Sequence, residues 1–301
     1  MDMRPWKLAR RFAAIAVLGL VAGCQTTTPL TWKLPDGVRI TEVNGYPLAA
    51  IEKGSGPTVV LVHGAMCDYR CWDATMQALS DRYRVVSVSL RHFYPQDWNG
   101  SGDTFTLRQH AADLAAFVEK MAPPVRLVGH SYGGLVASEM ARARPDLVLK
   151  LVLAEAATDA LLPAPTAEQA ANRRKFVEQT EAMLTTKGAD AALEFAVDIL
   201  NGKGAWSRYP APVQAIHRQN AWTIVGSARD TSARGTCADF GSLKMPVLLV
   251  TGERTSPRYK QILAAQGKCL PGASAVVIPG VGHAMMMNPN AFNPALKNFM
   301  Q

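Results

Sequence analysis

The 301-residue sequence has no internal repeat, no low-complexity tract and no Cys/His cluster at metal-ligand spacing, so solenoid arrays, disordered tails and structural zinc sites are excluded as its basis. It also lacks a glycine loop of the kind that cradles phosphates and any Lys/Arg-rich run. Neither a cofactor nor a nucleic-acid partner is therefore expected. The apolar run near the N-terminus, Phe12 to Val21, is too short to span a bilayer. What the chain does have is 48% hydrophobic residues, enough for a large core, in a length that suits one α/β domain.

Continuous apolar runs at 58–62, 85–90, 125–128, 151–154 and 247–250 alternate with helix-like stretches, as a parallel sheet covered on both faces requires. Before them, Val38–Val43 and Tyr46–Glu52 are strand-like and joined by Asn44-Gly45, a strong hairpin signal. Thr106-Leu107-Arg108-Gln109 is a capping box opening a helix to Met121. From about Ala157 to Ser242 the alternation stops, and helix-like stretches at 167–185 and 190–200 are joined by Gly202-Lys203-Gly204 and Pro210-Ala211-Pro212. That segment is expected to be a helical cap lying over the site, where it would exclude water and shape a pocket. Phe176, Met183, Leu193, Phe195, Ile199 and Trp222 are its candidate substrate contacts, with packing as the competing role for each.

Gly129-His130-Ser131-Tyr132-Gly133 follows the run Val125–Val128 and precedes a helix-like stretch from Gly134 to Arg144. In that context G-x-S-x-G is a nucleophile elbow, a strained turn that exposes the serine while glycines let strand and helix approach. A serine hydroxyl is a weak nucleophile and needs a base, an acid to orient it and donors for the oxyanion. The expected base is His283, in Gly280-Val281-Gly282-His283 after the β-branched run 275–278. His130 is expected to pack inside the elbow, and His110 and His217 to be solvated or core-edge groups on helices. His92 is either a pocket residue or an ordinary loop residue. The strand at 58–62 runs into His63-Gly64-Ala65-Met66, and the backbone N–H groups of Ala65 and Tyr132 are the expected oxyanion donors.

This order of strand, His63-Gly64, elbow, insert and late Gly-x-Gly-His resembles the α/β-hydrolase superfamily over residues 38–299. The resemblance implies the α/β-hydrolase fold: a mostly parallel sheet with helices on both faces, residues 24–156 and 243–301 forming the core, and a cap at 157–242 inserted after the sixth strand. In that family the acid most often stands three residues beyond the glycine that ends the seventh strand. Here that strand is Val247–Gly252 and the position holds Thr255, which is not acidic. Glu155, closing the sixth-strand run Leu147–Ala154, is the expected replacement, because sites on open parallel sheets gather their side chains at strand C-termini. Some haloalkane dehalogenases similarly carry a Glu there, with an aspartate nucleophile; Ser131 implies acyl transfer instead. Glu253 is the alternative acid, and Asp159 a third candidate.

Residues 1–23 read as a signal peptide, with Arg4, Lys7, Arg10 and Arg11 ahead of the apolar run. Val21-Ala22-Gly23-Cys24 resembles a bacterial lipobox, which implies lipidation of Cys24 and an envelope protein anchored in the membrane. Gln25 favours the outer membrane, facing the periplasm; a plain secretory signal is the alternative. Cleavage removes four positive and one negative side chains and takes the formal charge from +8 to +5. Outside the cytoplasm disulfides become possible, with Cys237 and Cys269 able to meet across a strand–helix unit and Cys67 and Cys71 able to bridge only in a loop. The expected function is a serine hydrolase acting on a small carboxylic ester. An amidase, lactonase or carbon–carbon bond hydrolase with the same triad, and a non-catalytic binding or sensing protein on this scaffold, are the alternatives.

Overall fold

The computed structural model describes residues 34–230 and 235–301. Among them, one sheet is built from β1 (Arg39–Val43), β2 (Tyr46–Lys53), β3 (Thr58–Val62), β4 (Arg84–Val88), β5 (Val125–His130), β6 (Val148–Ala154), β7 (Val247–Gly252) and β8 (Ser274–Ile278). Its spatial order is β1-β2-β4-β3-β5-β6-β7-β8. The β1–β2 and β2–β4 pairs are antiparallel and every later pair is parallel. Asn44 and Gly45 join the entry hairpin with φ of 48° and 68°, the double positive φ of a type I′ turn.

The helices are α1 (Asp73–Leu79), α2 (Leu107–Glu119), α3 (Tyr132–Ala143), α4 (Ala167–Thr186), α5 (Ala189–Asn201) and α6 (Ala205–Arg208). They continue with α7 (Ala211–Gln219), α8 (Trp222–Arg229), α9 (Cys237–Gly241), α10 (Pro257–Cys269) and α11 (Pro289–Met300). The middle of the sheet is covered on both faces, which is why β3 and β7 are near-continuous apolar runs rather than alternating, while the edge strands β1 and β8 are largely exposed. Val60 and Val62 of β3 share a core with Leu114 and Phe117 of α2 and Val136 and Met140 of α3. Their neighbours Val59 and Leu61 point the other way, into a second core with Met76 of α1 and Phe292 and Leu296 of α11. Only half of the expected capping box forms at α2: Thr106 Oγ1 accepts the Gln109 N–H at 3.1 Å, while the Gln109 side chain donates to Asp113 at 2.8 Å instead.

Helices α4 to α8 have a core of their own, with Leu193, Val197, Trp206, Ile224 and Val225 buried together. Met66, from the loop after β3, is buried in the same cluster. The segment 157–242 is not uniform, however. Phe240 of α9 belongs to the sheet's core, and a Cys237–Cys269 disulfide, Cα atoms 5.2 Å apart, ties the start of α9 to the end of α10. A second disulfide joins Cys67 and Cys71, Cα atoms 6.1 Å apart, across the turn that follows β3. Residues 1–23 and Cys24 lie outside the described residues. Among the described residues no helix is long and apolar enough to cross a membrane.

Candidate active site

Three neighbouring strands end in turns built alike. The Ser131 N–H after β5 donates to Ala154 O at 3.0 Å, the Glu155 N–H after β6 to Val250 O at 2.9 Å, and the Glu253 N–H after β7 to Ile278 O at 2.9 Å. Each turn residue is thereby locked to the next strand. At the first turn Ser131 has φ 52° and ψ −119°, a region that costs on the order of 1–3 kcal/mol for a residue with a side chain. The strain is imposed by close approach: a Cβ on Gly129 would lie 2.5 Å from Gly133 O, and one on Gly133 would lie 2.2 Å from His63 O. Only glycine lets β5, α3 and the loop after β3 converge there.

Ser131 Oγ lies 3.1 Å from His283 Nε2, and His283 Nδ1 lies 2.6 Å from Glu155 Oε2. The carboxylate of Glu155 is buried and held on both oxygens. Oε1 accepts from the Thr251 hydroxyl at 2.9 Å and the Gly252 N–H at 2.8 Å, and Oε2 accepts from the Thr255 hydroxyl at 2.8 Å. Burial by itself pushes the Glu155 carboxyl up; the hydrogen bond and charge of His283, with the donors from Gly252 and Thr255, outweigh it and hold the carboxyl below its ordinary value. Glu253 faces elsewhere. It is exposed, and its Oε2 accepts the Gly280 N–H at 2.8 Å. Asp159 is ion-paired to Arg258, Oδ1 to Nε at 2.6 Å.

Ala65 and Tyr132 both border the cleft that holds Ser131 and His283, and Tyr132 is the first residue of α3. The loop carrying Ala65 is braced on both sides. His63 Nδ1–H donates to Gly64 O at 2.8 Å while its Nε2 accepts the Leu90 N–H at 3.1 Å, and the Met66 N–H donates to Thr223 Oγ1 of α8 at 2.9 Å. Burial lowers the pKa of His63 to about 4, so that ring stays a neutral brace. His130 is buried beside His283, its Nε2 2.9 Å from His283 O. Burial, and then the charge of His283, lower its pKa to about 3.

The cleft has a volume of about 760 Å³, within the range typical of small-molecule sites. Of the six candidate contacts from the insert, Phe176 and Ile199 border it; Leu200, Val213, Ile216 and Ile224 border it as well. Leu193 is in the core of α4 to α8, and Met183 and Trp222 pack against that core. Phe195 stacks on Phe176 at 6.0 Å. His92 does not border the cleft; it stacks on Trp98 at 4.9 Å and bonds Thr104. His110, expected at a core edge, is wholly buried, 2.7 Å from Tyr132 Oη. His217 borders the cleft.

A family model described as the alpha/beta hydrolase family matches residues 59–295. The chain belongs to that family. This hydrolase is 26% identical over 277 residues, 87% of its length and 94% of the other protein's, to the 2-(acetamidomethylene)succinate hydrolase of Mesorhizobium japonicum. It is similar to the structure of a thermophilic esterase from Thermogutta terrifontis, with a TM-score of 0.69 and 25% identity, over 87% of this chain and 96% of that one. An esterase from Exiguobacterium antarcticum superposes with a TM-score of 0.72 over 86% of this chain and 97% of that one, at 19% identity, a likeness of fold alone.

Three groups at the site of the hydrolase were not singled out by the sequence as contributors. Thr251 and Thr255 hold the Glu155 carboxylate, although Thr255 draws notice in the sequence only as a missing acid. Tyr259 stacks on His283, ring centroids 4.2 Å apart and planes 16° from parallel. Its place three residues after the glycine-ended strand and one hydroxyl was a readable signal for Thr255. Tyr259 had none, since an aromatic in the first turn of a helix is ordinary.

Proposed function

We propose that this hydrolase cleaves a carboxylic ester through an acyl-enzyme on Ser131. The carrying observation is the hydrogen-bonded line from Glu155 Oε2 to His283 Nδ1 at 2.6 Å and from His283 Nε2 to Ser131 Oγ at 3.1 Å. Glu155 fixes the tautomer with the proton on Nδ1, so Nε2 is free to act as general base. Ser131 Oγ bonds to the carbonyl carbon as its proton passes to Nε2, and the carbonyl electron pair moves to the oxygen, which the N–H groups of Ala65 and Tyr132 receive. Collapse expels the alkoxide, which takes the proton from Nε2. Water then repeats the sequence on the acyl-enzyme and frees Ser131. Each backbone donor at such an oxyanion is worth on the order of 2.7–4 kcal/mol in the barrier.

Helices α4 to α8 act in this reading as a cap over the cleft. The apolar side chains they and the loop after β8 present, among them Phe176, Ile199, Ile216 and Met286, favour an ester with an apolar acyl or alcohol part. Hydrolysis of an amide-like bond by the same triad is the second reading, favoured by the relative named for 2-(acetamidomethylene)succinate. The decisive test is a serine-directed fluorophosphonate: stoichiometric labelling at Ser131, lost in Ser131→Ala together with hydrolysis of a panel of esters of increasing chain length, is expected. Folded protein that refuses the label would leave a binding role on a hydrolase scaffold.

The anchor is proposed from Val21-Ala22-Gly23-Cys24 alone. We place the mature protein at the bacterial envelope, acylated on Cys24 in the outer membrane and facing the periplasm. It should fractionate with membranes, with Cys24→Ser released or unprocessed. A wild-type protein recovered soluble from another first residue would remove the anchor.

A further inference from the structure

Tyr259, in the first turn of α10, touches both reacting side chains of the proposed site. Its ring lies over His283, centroids 4.2 Å apart and 16° from parallel, and its hydroxyl oxygen is 3.5 Å from Ser131 Oγ. Behind it, Arg258 packs over the same ring at 4.7 Å, while the guanidinium is itself held by Asp159, Nε to Oδ1 at 2.6 Å.

The direction of every bond in this line is forced. Glu155 takes the His283 Nδ1–H, which leaves Nε2 as an acceptor, so the Ser131 hydroxyl donates to it. With its own proton given to Nε2, Ser131 Oγ can only accept on its other side, so the Tyr259 O–H donates to it.

We propose that Tyr259 is a catalytic residue of this hydrolase that donates a hydrogen bond to Ser131 Oγ whenever that oxygen carries negative charge. The inference rests on the serine-hydrolase reading above. Oγ becomes negative twice: as it gives its proton to His283 and attacks, and again as the bond from acyl carbon to Oγ breaks and His283 returns the proton. At 3.5 Å the bond to the neutral serine is weak, and it tightens as charge develops, so it favours the transition states over the ground state. The proton stays on Tyr259 throughout. Burial raises the pKa of the phenol, against the lowering effect of Arg258, which keeps the donor intact at neutral pH. Stacking adds a second effect, because an aromatic face over the imidazole steadies the imidazolium that forms in both steps.

Tyr259→Phe in the full-length protein keeps the ring and removes the donor. Expected are roughly 10- to 100-fold lower kcat, the range of a hydrogen bond to a charged group, a KM unchanged within about twofold, and slowing of both the acylation burst and deacylation. Replacing Tyr259 by 3-fluorotyrosine, a stronger phenolic acid of nearly the same shape, is expected to move the alkaline limb of the kcat profile to lower pH, and Tyr259→Phe, which has no phenol to ionise, to remove that limb. A purely structural tyrosine would move neither. Wild-type kcat in Tyr259→Phe, or a loss confined to KM, would overturn the proposal. The fluorotyrosine profile decides the matter where Tyr259→Phe does not fold. Hydrolysis surviving in Ser131→Ala would instead sink the acyl-enzyme reading itself, so the two failures are distinguishable.

Discussion

The turns after β5 and β6 both hold their residue at positive φ and are written in the sequence in opposite ways. Ser131 has φ 52° and Glu155 φ 44°, both in the region that side chains avoid. Both N–H groups are tied to the next strand. At Ser131 the strain comes from backbone packing that only Gly129 and Gly133 permit, and such glycines leave a motif. At Glu155 the turn residue is held by bonds from its carboxylate to Thr251, Gly252, Thr255 and His283, residues 96 to 128 positions away. A turn held by distant partners leaves no local motif. Strain of this kind persists only where the surroundings over-determine it, and two different sets of surroundings do so here.

The largest effect should fall on the first turn. Ser131→Ala is expected to lower kcat by about 10⁶-fold, the order found when a triad serine is lost, with fluorophosphonate labelling as the parallel measurement. Residual activity near wild type would break the comparison at its root, since the glycine-built turn would then carry no chemistry.

At the second turn, Glu155→Gln is expected to lower kcat by about 10⁴-fold, as loss of the correct tautomer does in a comparable triad, with KM little changed. Glu253→Gln, in the third turn, should remain near wild type because its carboxylate serves only the Gly280 N–H. The reverse ranking in steady-state kinetics would move the orienting acid to the β7 turn. The comparison sharpens further in the double variant Glu155→Gln with Thr255→Asp. Thr255 Oγ1 is 2.8 Å from the Glu155 oxygen that meets His283, so an aspartate at 255 should recover at least about tenfold of the activity lost in Glu155→Gln. No recovery would mean that the β7 turn cannot present a carboxylate to His283.

Thr255→Val should cost less. It removes one donor to a charged acceptor, a bond typically worth about 1.5–3 kcal/mol, so a roughly tenfold fall in kcat is expected at most conditions near neutral pH, with the acid limb of the pH profile moving upward. The sign follows from Glu155: its pKa is held down in part by Thr255, and losing that donor lets the carboxyl protonate at higher pH. An unmoved limb would show that Thr255 only fills space.

The mildest effect concerns the histidines beside the turns rather than the turns themselves. Burial lowers His63 to about 4 and His110 and His130 to about 3, against about 6.5 in an unfolded chain. Between those values the unfolded state binds more protons, so stability rises with pH. The contribution is complete above about pH 6.5 and is lost as pH falls through 4 and 3. Urea midpoints measured from pH 7.5 down to 4 should therefore fall, and should fall less in a His110→Phe variant; a flat curve would mean these rings are protonated in the folded protein.

The strand runs, the Asn44-Gly45 hairpin and the glycine-framed turn at Ser131 were legible because each is determined by neighbours in the chain: side-chain period, turn chemistry and steric room at a glycine. The half-formed capping box at Thr106 was not, because Asp113, one helical turn on, competes for the Gln109 side chain. Which insert side chains border the cleft was not legible either. Phe176 and Ile199 border it while Leu193 is buried in the insert's own core, a choice made by the packing of α4 to α8 on one another.

By itself, then, the sequence determined the covered parallel sheet, the strained turn that exposes Ser131 and the late histidine, since each follows from local geometry and apolar patterning. The sequence also favoured Glu155 over Glu253 from its place at a strand end, and the tertiary structure alone decided that Thr255 serves that carboxylate instead of replacing it, that Glu253 turns to the Gly280 N–H, and that Tyr259 lies over the histidine with its hydroxyl beside the serine. The physical reason is the same in each case. These contacts join the ends of β5, β6 and β7, α10 and the loop after β8, and only the lateral order of strands in the sheet brings those ends within hydrogen-bonding distance of one another.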